Sequence, residues 1–196
     1  MGMNYMIILA HPDEKSFNSR LFHKIQIDLK AAGHSVYAHD LYRQNFNPVL
    51  QNNEITSSFS FDEDVMTLVK ELESSQRIIF IYPEWWGSLP GILKGFIDRV
   101  FQSGSAYGYT GDIFEEKTKK GYLVGKDFFI YMTTNRVPSF SDDVMDSHLI
   151  WWKNSVLDFC GANLKSGRIL FDYRHSGTGQ KKAWMDQVHS DIFDLS

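Results

Sequence analysis

The chain has 196 residues, 43% of them hydrophobic and 22% charged, close to globular averages, so it is expected to form a single domain over residues 1–196 rather than a disordered or collagen-like chain. A formal charge of −4, with no run of five like charges, leaves no electrostatic footprint for nucleic acid or an anionic membrane. The high aromatic share, 15%, points to rings that line a site as well as rings that fill a core.

At the start of the chain, "MGMNYMIILA" lacks a basic leader, and Met6 stands where myristoylation needs Ser or Thr. No apolar run approaches the roughly 20 residues that span a bilayer, so the expected location is cytoplasmic. "YMIILA" (5–10) predicts a strand buried on both faces, ended by His11-Pro12. From Ser16, the spacing of Leu21, Ile25, Leu29 and Ala32 marks one face of a helix that Gly33 stops. "SVYAHDL" (35–41) predicts a second strand. Residues 62–74 predict a helix with Val65, Leu68, Val69 and Leu72 inward, and "RIIFIY" (77–82) a third strand.

Beyond an aromatic turn, Ile92, Phe96, Ile97, Val100 and Phe101 make another helical stripe. Lys117 to Lys120, flanked by Glu115 and Glu116, read as a solvated loop. "DFFIYMTT" (127–134) is the fourth strand. Residues 143–159 read as a helix burying Val144, Leu149, Trp152 and Leu157. Cys160, the only cysteine, follows in what reads as a buried helix end; it cannot form an internal disulfide and suits a reducing compartment. "GRILF" (167–171) is the fifth strand, and residues 178–193 the last amphipathic helix. Such alternation predicts an α/β fold with five parallel strands, helices on both faces and a flavodoxin-like order 2-1-3-4-5. A ligand is then expected at the carboxyl ends of the strands, near the topological switch point.

Three distinctive loops should converge there: "HPDEKSFN", "PEWWGSLPG" and "TTNRVPSF". In the first, Ser16 stands at a helix N-cap with Phe17, Asn18 and Ser19 in the first turn. Free N–H groups and the helix dipole there suit a phosphate, although the same serine also serves as a plain cap. It is neither a G-x-G-x-x-G nor a Walker A loop. In the second, Pro83 and Pro90 stiffen the backbone, Gly87 and Gly91 permit close approach, and Trp85 or Trp86 offers a flat wall for a planar heteroaromatic ring. No G-x-S-x-G elbow is present, and the seven histidines form no metal motif.

"YPEWWGSLPGILKGFIDRVFQSGSAYGY" together with "AHPDEKSFN" resembles the flavodoxin-like NAD(P)H:quinone oxidoreductase family, over most of the chain and weakly after about residue 135. The resemblance implies a bound FMN, or alternatively FAD, hydride transfer from NADPH or NADH to a quinone or similar electrophile by a ping-pong cycle, and a homodimer. It places His11, Ser16, Phe17 and Asn18 around the ribityl phosphate, and Pro83, Glu84, Trp85 and Trp86 along the isoalloxazine. Thr133 and Thr134 fall on its pyrimidine side, and Tyr107 and Tyr109 reach a substrate pocket across the dimer interface. Some similar proteins act instead as ancillary subunits that activate potassium-efflux transporters. A one-electron flavodoxin-type carrier is a further alternative, disfavoured because "HPDEKSFN" is not the Ser/Thr-Gly-rich loop of such carriers.

One departure stands out: Asn135 and Arg136 replace the glycines that the family often carries after Thr-Thr. Arg136 is open to meeting a pyrimidine carbonyl, meeting a nicotinamide cofactor phosphate, or sitting solvated on a loop. Glu84 is expected to face water or a helix end, and the residues that polarise flavin and substrate in the family have no evident counterpart.

Overall fold

The computed structural model describes residues 2–56, 60, 62–111, 118–137 and 146–194. Its elements in chain order are β1 (Asn4–Leu9), α1 (Phe17–Ala31), β2 (Ser35–Asp40), α2 (Asn52–Thr56), α3 (Glu63–Ser74), β3 (Arg77–Pro83) and α4 (Gly91–Val100). A hairpin, β4 (Tyr107–Thr110) and β5 (Thr118–Gly121), precedes β6 (Asp127–Thr133). Then follow α5 (Ser147–Trp151), a π-helical stretch (Trp152–Leu157), α6 (Asp158–Cys160), β7 (Asn163–Leu170) and α7 (Thr178–Phe193).

The main sheet runs β2-β1-β3-β6-β7 with every pairing parallel, the flavodoxin-like order once the hairpin is set aside. Alternation along the central strands explains both cores. Met6, Ile8, Ile78, Phe80, Phe128 and Ile130 point to one face, under α3, α4 and the π-helical stretch. Tyr5, Ile7, Ile79, Ile81, Phe129 and Tyr131 point to the other, under α1 and α7. Trp152, wholly buried, donates its indole N–H to the Tyr82 hydroxyl at 2.8 Å, so the polar edge of a large core ring has a partner.

The segment between β2 and α3 is held by charge. Arg99 of α4, 1% exposed, makes three hydrogen bonds of 2.7–3.1 Å to the Glu54 carboxylate and one to Asp62 at 3.1 Å. Although burial alone would raise the Glu54 pKa, the bonds from Arg99, the Gln51 N–H and Ser60 hold it below its ordinary value. Gly95 makes that close approach possible, since a Cβ there would stand 2.3 Å from Pro48.

Several expectations need correction. The last strand begins at Asn163, four residues before the predicted 167, because pairing with β6 recruits polar residues that no apolar run marks. Lys119 and Lys120 lie in β5 rather than in a loop, their stems carrying the ammonium groups over Phe159 and Tyr122 at 4.3 and 5.8 Å. Helix α2 carries no signal in the apolar pattern. Val69 packs on the core but is partly exposed. Residues 143–145 of the predicted helix, Val144 among them, and Glu115, Glu116 and Lys117 lie outside the described residues.

Candidate functional site

A cavity of about 250 Å³ opens at the carboxyl ends of β1, β3, β6 and β7. The loop after β1 contributes His11, Asp13, Ser16, Phe17 and Asn18; that after β3, Pro83, Glu84 and Trp85; that after β6, Thr133, Thr134 and Asn135. The three loops singled out in the sequence therefore converge in their described residues; residues 138–140 of the third lie outside them. A fourth, after β7, adds Tyr173 and Arg174.

On the first loop, the Asp13 N–H donates to Nδ1 of His11 at 3.0 Å, which leaves the ring proton of neutral His11 on Nε2. Burial lowers the His11 pKa and outweighs the pull of the Asp13 carboxylate. Ser16 caps α1, its Oγ accepting from the Ser19 N–H at 3.1 Å, while the Ser19 hydroxyl donates to the Asp13 carbonyl at 2.8 Å. Helix geometry leaves the N–H groups of Phe17 and Asn18 without intrahelical acceptors beside the cavity.

Thr133 is where the loops are stitched together. Its Oγ1 accepts from Nδ2 of Asn18 at 3.0 Å, and its carbonyl from the Glu84 N–H at 2.8 Å. Thr134 joins the fourth loop, its N–H donating to the Leu170 carbonyl and its own carbonyl accepting from the Tyr173 N–H, both at 2.9 Å. Oδ1 of Asn18 is buried and has no hydrogen-bond partner, although Asn18 is 2% exposed. An acceptor left so is costly unless a ligand supplies a donor.

The tryptophans divide. Trp85 and Ser88 exchange backbone hydrogen bonds of 3.0 and 3.1 Å around Trp86 and Gly87, whose φ values are +53° and +72°. Two positive φ angles in a two-residue turn are the type I′ signature. Trp85 borders the cavity with its ring 6.3 Å from that of His11, whereas Trp86 projects wholly into solvent from the apex. Tyr107 and Tyr109 lie on β4, Tyr107 packing edge-on against Phe159 and Tyr109 more than half exposed; neither lines the cavity of a single chain.

Glu84 departs from its expectation, while Arg136 stays on an exposed loop and pairs with it. The Glu84 side chain is 6% exposed rather than solvated, and its Oε2 lies 2.6 Å from Nε of Arg136. Arg136 also reaches Asp146 at 3.1 Å and Nδ1 of His148 at 3.2 Å. Burial pushes the Asp146 pKa up, but hydrogen bonds from His148 and Arg136 bring it below its ordinary value. Asp146 and His148 were missed in the sequence because only apolar spacing was read over that helix. Tyr173 and Arg174 were missed too, although an aromatic-basic step in the loop after the last strand was the available signal.

Comparison with known proteins agrees with this architecture. Residues 3–187 match the family model described as a flavodoxin-like fold. An uncharacterized NAD(P)H oxidoreductase of Haemophilus influenzae is 31% identical over 170 residues, covering 81% of this chain and 79% of that protein. NAD(P)H dehydrogenase [quinone] 1 of Rattus norvegicus is 29% identical over 195 residues, covering 87% and 69%. The crystal structure of Smu.1420 from Streptococcus mutans UA159 superposes with a TM-score of 0.81 at 30% identity, covering 95% of this chain and 96% of that one. The chain thus belongs to the flavodoxin-like family that includes the NAD(P)H quinone dehydrogenases.

Proposed function

We propose that this chain is a flavin-dependent oxidoreductase that takes a hydride from NADPH or NADH and delivers it to a quinone or similar electrophile by a ping-pong cycle. FMN is the favoured cofactor and FAD the alternative, and the protein acts as a cytoplasmic homodimer. The observation that carries this reading is the free N-terminal turn of α1 opening on the cavity where the loops meet. Such a turn suits a phosphate, and Asn18, whose Oδ1 has no partner, stands within it.

The donor set fits the group. The N–H groups of Phe17 and Asn18 and the Ser16 hydroxyl would hold the phosphate, with neutral His11 close by. Pro83, Glu84 and Trp85 would border the ring, and Thr133 and Thr134 its pyrimidine side. Bound flavin supplies the two-electron chemistry; the protein binds, orients and excludes water, so no catalytic triad is required. Exposed Trp86, with Tyr107 and Tyr109, would meet the partner subunit and the acceptor. Among the described residues no helix is long and apolar enough to cross a membrane.

The test is a fluorescence titration of the apoprotein with FMN and with FAD, followed by initial rates of NADPH oxidation against varied quinone. Saturable uptake of one flavin and parallel double-reciprocal lines are expected. Quinone reduction that does not depend on added or retained flavin would refute the reading.

A further inference from the structure

The wall of the cleft contains a carboxylate that ought to spoil it. Glu84 borders the cavity with its side chain 6% exposed, where an uncompensated negative charge would be costly and would repel an anionic ligand. Arg136 stands behind it and is absent from the lining, which takes Asn135 instead. The guanidinium holds Oε2 of Glu84 at 2.6 Å and reaches Asp146 at 3.1 Å. Its own backbone is fixed by an N–H donated to Oγ1 of Thr134 and a carbonyl that accepts from the Asp172 N–H, both at 2.9 Å. His148, 2.8 Å from Asp146, donates its Nε2–H to the Gly87 carbonyl at 3.1 Å, tying the same cluster to the aromatic turn.

We infer that Arg136 is a positioning residue that acts through Glu84: it cancels the charge of the cleft-wall carboxylate and fixes its direction, which lets the cleft take a phosphate-bearing flavin and holds up the reduction potential of the bound ring. The inference rests on the function proposed above. A negative charge beside a ring that accepts electrons disfavours the reduced form, so exposing the charge of Glu84 must lower the potential. Arg136 need not touch the ligand for this.

Four proteins decide the matter: wild type, Arg136→Met, Glu84→Gln and the double variant. Each apoprotein is titrated with FMN, the midpoint potential of the bound FMN is measured by equilibration with a reference dye, and apoprotein melting serves as the folding control. Arg136→Met should weaken FMN binding about tenfold, as coupled neighbours do, and shift the potential negative. Glu84→Gln, which removes the cleft-wall charge and leaves Arg136 paired with Asp146, should shift it positive. The double variant should recover affinity and potential together. A double variant as impaired as Arg136→Met, or an Arg136→Met protein indistinguishable from wild type, overturns the inference. If Arg136→Met does not fold, Arg136→Lys and Arg136→Gln replace it, with only the uncharged variant expected to lose potential; equal loss in both overturns the inference. Wild-type protein that takes up neither flavin removes the proposed function and this inference with it, whereas failed rescue on a flavin-binding wild type removes the inference alone.

Discussion

Replacing Asn18 by Ala separates ligand binding from folding. The side chain is 2% exposed; its Nδ2 donates to Thr133 across a buried 3.0 Å contact and its Oδ1 has no partner. Losing the hydrogen bond costs about 1 kcal/mol, and removing the orphaned acceptor returns about 1–3 kcal/mol of desolvation. The balance runs from about zero to about 2 kcal/mol in favour of the variant, so urea unfolding of the apoprotein should show no loss of stability. Bound FMN would lose the donor contact that satisfies Oδ1, worth the same about 1–3 kcal/mol, or about 5- to 150-fold in the dissociation constant. An apoprotein destabilised by about 3 kcal/mol or more, with FMN affinity unchanged, would refute this reasoning and make Asn18 a tie between α1 and β6.

Trp86→Gly should raise apoprotein stability by up to about 1 kcal/mol in urea, because a bulky residue at φ +53° gives way to one without that penalty, while acceptor turnover falls. Trp152→Ala should cost about 3–5 kcal/mol of stability, because the ring is wholly buried. Arg99→Ala should cost about 3–5 kcal/mol by leaving buried Glu54 uncompensated. Because the folded-state pKa of Glu54 is lowered, its stabilisation is present above the ordinary carboxylate range and lost as pH falls through the folded value; Glu54→Gln should therefore flatten the acid limb of a stability-pH curve. Burial pushes the Cys160 thiol up to about 11 from 9.0, so the folded protein should react with a thiol reagent near neutral pH only as fast as it unfolds.

Sheet order and the meeting of three loops were legible because buried parallel strands write continuous apolar runs, as in "YMIILA" and "RIIFIY", and the order then dictates which ends adjoin. The start of β7 was not, since Asn163 to Ser166 belong to an edge strand whose pairing is set by the neighbour rather than by hydrophobicity. The hairpin hid for a similar reason: "TKKG" carries no strand pattern until the aromatic rings beneath its lysines are in place. At the site, Ser16 and Asn18 were readable from helix-start chemistry, which is local. The Glu84–Arg136–Asp146 cluster was not, because its members are 52 and 10 residues apart and no spacing rule connects them. The pair of tryptophans showed that aromatic surface would be spent on the turn, but only backbone dihedrals tell Trp85 at the cleft from Trp86 at the apex.

The most direct measurement is the visible absorption of purified protein loaded with FMN, freed of excess ligand, and followed anaerobically through additions of NADPH and then a quinone. The flavin band should stay with the protein, bleach with one equivalent of NADPH per flavin, and return with quinone. Protein that keeps neither FMN nor FAD, or whose bound flavin does not respond to NADPH, would contradict the proposed function.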